Sequence, residues 1–424
     1  MTVSYAWWVP DQPPTLSAEE KQMLRERDVS EEGPGTILHD FNALLSYIQA
    51  EGEIQVTDKL RCLPLRTLPE INARMSHPLQ LGLQRPVQKS FPHIHGLYLL
   101  ARASGLTRVH EDARRPQLSV DEAVHRVWTH LNPTERYCTL LETWLLRARP
   151  ETIGEGRPAA FSIWETYGKC RSFFHQISED ELAVPETDAQ DWLHYWPEWH
   201  NLGLLDLFGL VSVYDRPSEP GEGWHIERIE IEPFGDALMS LLYVEFFSDF
   251  DNFLALSELK SVPVGTLQPV LQPYFPDWKR NLTVPERTFR EGTHVFRVSL
   301  GNLWWCRIAI PATAMLEDLA MVILNAIEFS HDHLYQFSYR DRFGAFEHVN
   351  HPYMDDGPWA DDVKIGDLPL DVGQEMTYRY DFGDQWEFDV TLERIDSAET
   401  SVEAPVILEE GGNRPEQYGA WVSW

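Results

Sequence analysis

Tyr378-Arg-Tyr-Asp-Phe-Gly-Asp-Gln-Trp-Glu-Phe-Asp-Val-Thr-Leu-Glu-Arg-Ile395 decides how the C-terminal part of this chain folds. Met376–Asp381 and Trp386–Ile395 are patterned as strands, and Asp381-Phe-Gly-Asp384 between them has turn chemistry. Aspartate side chains accept from nearby backbone amides, and glycine takes a positive φ without steric cost. The stretch therefore predicts a hairpin around Gly383.

Outward from it, the same reading extends upstream. Strands are expected at His294–Leu300, Leu303–Ile310 and His333–Tyr339, a helix at Ala314–Phe329, and an acidic loop at about 350–367. Strands with one helix amount to an α+β domain, with the helix on one face of a mixed sheet. Several of these blocks, in order, resemble the plasmid pRiA4b ORF-3-like family over about residues 275–419. They are Val295–Leu300 with Trp304–Pro311, Leu316–Phe329, Asp332–Phe337, the Tyr380–Trp386 centre, and Gly411-Gly-Asn-Arg-Pro-Glu-Gln-Tyr-Gly419. The resemblance implies a domain and an association with mobile elements or defence against them. It implies no particular reaction. Two departures stand out: Phe388 occupies the place where the family usually has histidine, and the terminal element has a single proline, Pro415.

The N-terminal two thirds read as mainly helical. Residues 1–36 are expected to form a mobile leader with a short helix. Phe41, Leu44, Leu45 and Ile48 recur at helical spacing. Helices are expected at Ile94–Leu106 and Pro133–Arg149, with a hairpin at Val109–Leu118 and a capped helix start at Ser119. A similar order of helix, glycine, strand, turn, strand and helix returns over His200–Leu242. The order is that of a winged helix, so two such units are expected, at 37–150 and 151–265, before a final domain at 266–424. Leu271, Tyr274, Phe275 and Trp278, in a proline-rich segment, predict an extended stretch packed on a neighbour.

Composition narrows the function. The 424 residues carry a formal net charge of −32, and the last 84 hold 5 basic against 20 acidic residues, a balance of −15. Phosphate backbones are repelled by such a field. No apolar run approaches the roughly 18 residues of a membrane span, and the N-terminus lacks a secretory pattern, so a cytoplasmic protein is expected. The four cysteines have neither disulfide nor zinc spacing. No phosphate-loop, dinucleotide, zinc-protease or esterase motif occurs, and no cofactor is expected.

Three constellations remain. His333, Asp381, Asp384 and Glu387, with Arg414 and Glu416, are placed to converge on a divalent metal or support acid–base chemistry if their strands are neighbours. Equally, the aspartates fold the turn and the histidine is a satisfied edge residue. His331, His348 and His351 are candidate additions, and Asp355, Asp356, Asp361 and Asp362 form a solvated acidic loop. Arg102, Arg108, Arg114 and Arg115, around the first winged-helix hairpin, are the candidate nucleic-acid contact. Trp192, Trp196 and Trp199 share a face if the helix continues past Pro197. The expected function is that of a non-enzymatic, acidic interaction or scaffold protein with a basic or nucleic-acid-binding protein partner. The alternatives are a winged-helix DNA-binding regulator and a metal-dependent hydrolase using His333 and Asp381.

Overall fold

A computed structural model describes residues 14–57, 60–110, 115–148, 150–153, 162–177, 181–184, 187–249, 262–285, 288–343, 346–397 and 402–418. The chain divides into two compact units, residues 1–108 with 118–284, and residues 109–117 with 285–424.

In the first unit, α1 (Ala18–Glu26) begins at a capping box between Ser17 and Glu20. It lies where the mobile leader was expected, but it is packed: Leu24 is fully buried, and Arg25 and Arg27 lie over the rings of Tyr274 and Phe234. Residues 1–13 lie outside the described residues. Next along the chain come α2 (Ile37–Glu51), β1 (Ile54–Gln55), α3 (Leu68–Asn72), α4 (Pro92–Ala103), β2 (Thr107–His110), β3 (Gln117–Val120) and α5 (Glu122–Thr129), with sheet order β1-β3-β2, the division between the units falling within β2 and β3. After α6 (Pro133–Leu146) the same succession returns. It runs α7 (Ser162–Gln176), β4 (Glu181–Ala183), α8 (Thr187–Leu193), α9 (Trp199–Leu207), β5 (Val211–Arg216), β6 (His225–Ile231) and α10 (Pro233–Leu242), with sheet order β4-β6-β5. Both the sequence of elements and the crossed strand order repeat.

The third helices of the two repeats, α4 and α9, pack on each other. All twelve residues of α4 are buried. The approach depends on two glycines: a Cβ on Gly96 would meet the Leu204 side chain at 2.7 Å, and one on Gly203 would meet the His93 backbone nitrogen at 3.0 Å. His93 Nε2 lies 3.2 Å from Asp206 Oδ2, and the His95 and His200 rings are 5.7 Å apart. Burial holds both of the latter imidazoles below the ordinary range, His95 at about 3.

The proline-rich stretch joins this unit rather than the last domain. It forms α11 (Gln268–Leu271) before its extended part, because a proline at the start of a helix loses no intrahelical bond. Leu271, Tyr274, Phe275 and Trp278 are buried as expected. Two carboxylates of α6 fasten it. Glu142, fully buried, accepts the backbone N–H groups of Gly265 and Leu267 at 2.8 Å, and Glu135 pairs with Arg280 at 2.9 Å. The tryptophan stripe does not form on one helix, since α8 ends at Leu193 and α9 begins only at Trp199, beyond Pro197.

The second unit holds a seven-stranded sheet in the order β10-β9-β11-β12-β7-β8-β13. Its strands are β7 (Thr293–Leu300), β8 (Trp304–Pro311), β9 (Tyr335–Arg340), β10 (Phe346–Asn350), β11 (Glu375–Tyr380), β12 (Trp386–Asp396) and β13 (Val406–Gly412). Every pairing is antiparallel, correcting the expected mixed sheet. The physical reason is connection length: short turns join β7 to β8, β9 to β10 and β11 to β12, and such turns reverse the chain. One helix, α12 (Leu316–Ile327), buries Leu316, Leu319, Ile323 and Leu324 in a core with Phe296, Val298, Ile308, Tyr378, Phe388 and Val390. The predicted hairpin around Gly383 is present, with Tyr380 opposite Trp386.

Candidate functional site

The Asp381 turn is built by its own aspartate. Asp381 takes a left-handed φ of 56°, and Gln385 one of 54°. Non-glycine residues hold such angles at a cost of about 1 kcal/mol or more, offset here by hydrogen bonds. Asp381 Oδ1 accepts from the N–H of Gly383 at 2.9 Å and of Asp384 at 3.4 Å. The Asp381 N–H donates to the Leu334 carbonyl at 3.0 Å, and the Gln385 N–H to the Asp381 carbonyl at 2.6 Å. One carboxylate oxygen is thereby committed to the backbone.

The other oxygen faces histidine. His333 Nε2 lies 3.5 Å from Asp381 Oδ2 and 3.5 Å from Asp332 Oδ1. It also lies 3.1 Å from the Tyr418 hydroxyl. The preceding loop is held by the chain's last described residues. Ser330 donates its N–H to Gln417 Oε1 at 2.6 Å, and Gln417 Nε2 donates to Ser330 Oγ at 2.9 Å. Tyr380 donates its hydroxyl to the Ser330 carbonyl at 2.6 Å. Ser330 also bonds Asp332, and that bond, first among the causes, holds the Asp332 carboxyl below its usual range. Burial raises the Tyr380 hydroxyl above the ordinary phenol range.

The structure thus brings His333 and Asp381 together and leaves the other sequence-predicted members apart. Glu387 pairs across the β11–β12 ladder with Arg379 at 2.9 Å. Arg414 binds Glu410 at 2.8 Å and also Glu328. Asp384 contributes its backbone, and Glu416 is exposed. His331 and His333 precede β9, so no strand alternation aligns them. His348 Nδ1 bonds Ser338 at 2.8 Å, and His351 Nδ1 accepts the Tyr353 N–H at 3.1 Å, so neither joins His333. Asp355, Asp356, Asp361 and Asp362 are exposed. Among the described residues, no three His, Cys, Asp or Glu side chains are arranged to hold a metal ion. Phe388 is fully buried, with its ring 5.7 Å from Tyr378 and 6.4 Å from Trp304 and from Phe329. The members missed at the sequence level are Ser330, Tyr380, Gln417 and Tyr418. The last two lie in the terminal family element, which was the available signal.

The candidate nucleic-acid residues are dispersed. Arg102 is buried, with Nη1 3.5 Å from the Tyr98 hydroxyl. Arg108 pairs with Asp121 at 3.5 Å, Arg115 is exposed, and Arg114 lies outside the described residues. The helix that a winged helix would lay in a groove is α4, buried throughout. In the second repeat, Asp206 serves His93 and the Val213 N–H, and Glu222 and Glu230 pair with Arg216 and Arg228.

Residues 295–422 match the family described as plasmid pRiA4b ORF-3-like protein. The chain is 32% identical over 117 residues to the uncharacterized protein y4hQ of Sinorhizobium fredii, covering 26% of this chain and 55% of that protein. It therefore spans about half the length of the curated relative it matches. A crystal structure of a protein of unknown function, MM3350 from Methanosarcina mazei Go1, matches at 27% identity with a TM-score of 0.26. That match covers 29% of this chain and 71% of the other. The family match begins 20 residues after the expected start at 275, which leaves the proline-rich segment outside it. The C-terminal third of the chain accordingly carries a plasmid pRiA4b ORF-3-like domain.

Proposed function

We propose that this chain is a non-enzymatic interaction protein that docks a basic protein, one that itself binds nucleic acid being the best electrostatic fit. The observation that carries the reading is the charge: −32 overall, with nearly half of it in the last 84 residues. Complementary fields steer encounter and exclude like-charged partners. The winged-helix-like repeats support the same reading, since α4 and α9 cover one another and offer no free helix to a duplex. The Asp381 turn supports it too, because its aspartate bonds backbone amides in the manner of a structural turn. Among the described residues, no helix is long and apolar enough to cross a membrane. A cytoplasmic role linked to a mobile element or to defence against one is part of the proposal.

The test is affinity purification of the full chain from its host at low and at high salt, with mass spectrometry of what is retained. The reading expects a basic protein held at low salt and released as salt rises. Retention of nucleic acid after nuclease-free washing, without a basic protein, would favour the regulator reading instead. Stoichiometric metal lost on His333→Ala would favour the hydrolase reading.

A further inference from the structure

The sequence Val406-Ile-Leu408 lies on a strand where all three apolar side chains are exposed. β13 is the last strand of the seven-stranded sheet, hydrogen-bonded only to β8 among the described strands. Its side chains would ordinarily alternate between a buried and a solvated face. Here both faces are open: Val406 is 46% exposed, Ile407 39% and Leu408 45%. None of the three belongs to the core cluster that α12 forms with the rest of the sheet. Fully burying an aliphatic side chain is worth about 1.5–3 kcal/mol, and these three in succession leave part of that stabilisation unrealised within the chain.

Edge strands are a known hazard, and proteins commonly guard them with charge, proline or short length. β13 is seven residues long, and its apolar half carries no such charge or proline. Its register shift between Ile407 and Glu409 is the one irregularity. Past that shift the strand turns acidic. Glu409 and Glu410 reach Arg307 and Arg414, yet their side chains stay 57% and 45% exposed.

We infer that β13 is the docking edge for an extended segment of a basic partner, which adds an eighth strand along Val406, Ile407 and Leu408 and lays its apolar side chains on one face of them. Strand addition takes its affinity from main-chain bonds and its selectivity from alternate side chains. The occupant is a partner strand that alternates apolar residues with lysine or arginine, because a second copy of this chain would bring another −32 to the same edge. This inference rests on the preceding reading of the protein as an acidic docking protein and names the surface it uses.

The experiment uses the intact chain, a synthetic peptide of four Lys-Val repeats as probe, and the variant Val406→Lys/Leu408→Lys. Hydrogen exchange is expected to slow across 406–412 when the peptide is added to the parent chain. The variant is expected to bind about tenfold more weakly at an unchanged melting temperature, since the replaced side chains are exposed and lie outside the core cluster. Peptide protection confined to other segments overturns the inference. So does a lower melting temperature in the variant, or a parent dimer by light scattering that the variant abolishes. A basic partner that the host purification recovers equally with parent and variant would sink β13 as its site while leaving the docking reading intact. Failure of both to retain any basic protein would remove the reading itself.

Discussion

Asp381 shows how much a single side chain does in this domain. It bears a left-handed backbone, accepts two amides of its own turn, and faces His333. Asp381→Ala hands those amides, on the exposed Gly383 and the half-buried Asp384, over to water, and denaturant unfolding of the C-terminal unit should show a loss of about 0.5–1.5 kcal/mol. Asp381→Asn keeps an acceptor oxygen and tolerates the same φ, so most of the stability should remain. Equal losses for the two variants would mean that the charge facing His333 matters more than the turn. Gln385→Gly relieves a left-handed φ of 54° at an exposed position and is expected to stabilise slightly, by up to about 1 kcal/mol. The turn was legible in Asp-Phe-Gly-Asp because its bonds are local. Ser330 and Gln417 were not, because 87 residues separate them and neither carries a pattern that names the other.

At the scale of elements, the decisive contact is α4 against α9. Gly203→Ala in an ordinary helix interior would gain about 1 kcal/mol. Here the added methyl meets the His93 and Pro92 backbone at 3.0–3.1 Å, so a loss of about 1–3 kcal/mol is expected in thermal or denaturant unfolding. A gain would mean the helices are not in contact. The same interface carries a pH dependence. His95 is neutral in the fold, with its imidazole pulled down to about 3 by burial and then by Lys89. An unfolded chain takes up that proton from about pH 6.5 downward. Its contribution is therefore complete above pH 6.5 and is lost as pH falls through that value toward 3, about 2 kcal/mol by pH 5. His200, also lowered by burial, acts in the same direction. His95→Gln should flatten the slope of unfolding free energy against pH between 5 and 6.5, and an unchanged slope would count against the burial. Both helices were legible from their apolar spacing. Their mutual packing was not, since it joins segments about a hundred residues apart. β13 escaped for a different reason: a strand exposed on both faces has no alternation to read.

Across the whole molecule, charge and the closed helix pair set what the protein can approach. The boundary between its units illustrates what distance hides. The 262–284 segment joins the first unit through Glu142 and Glu135, more than a hundred residues upstream, whereas its prolines alone suggested a linker into the last domain. The balance of charge, by contrast, needs no fold to be read. A single pair of titrations at about 20 mM salt tests its consequence: labelled mixed-sequence duplex DNA and a labelled Lys-Val repeat peptide, each added to the intact chain and followed by anisotropy. No binding of the duplex is predicted, together with saturable binding of the peptide that weakens steadily as salt rises. Saturable duplex binding, abolished by Arg108→Glu and Arg115→Glu together, would contradict the account.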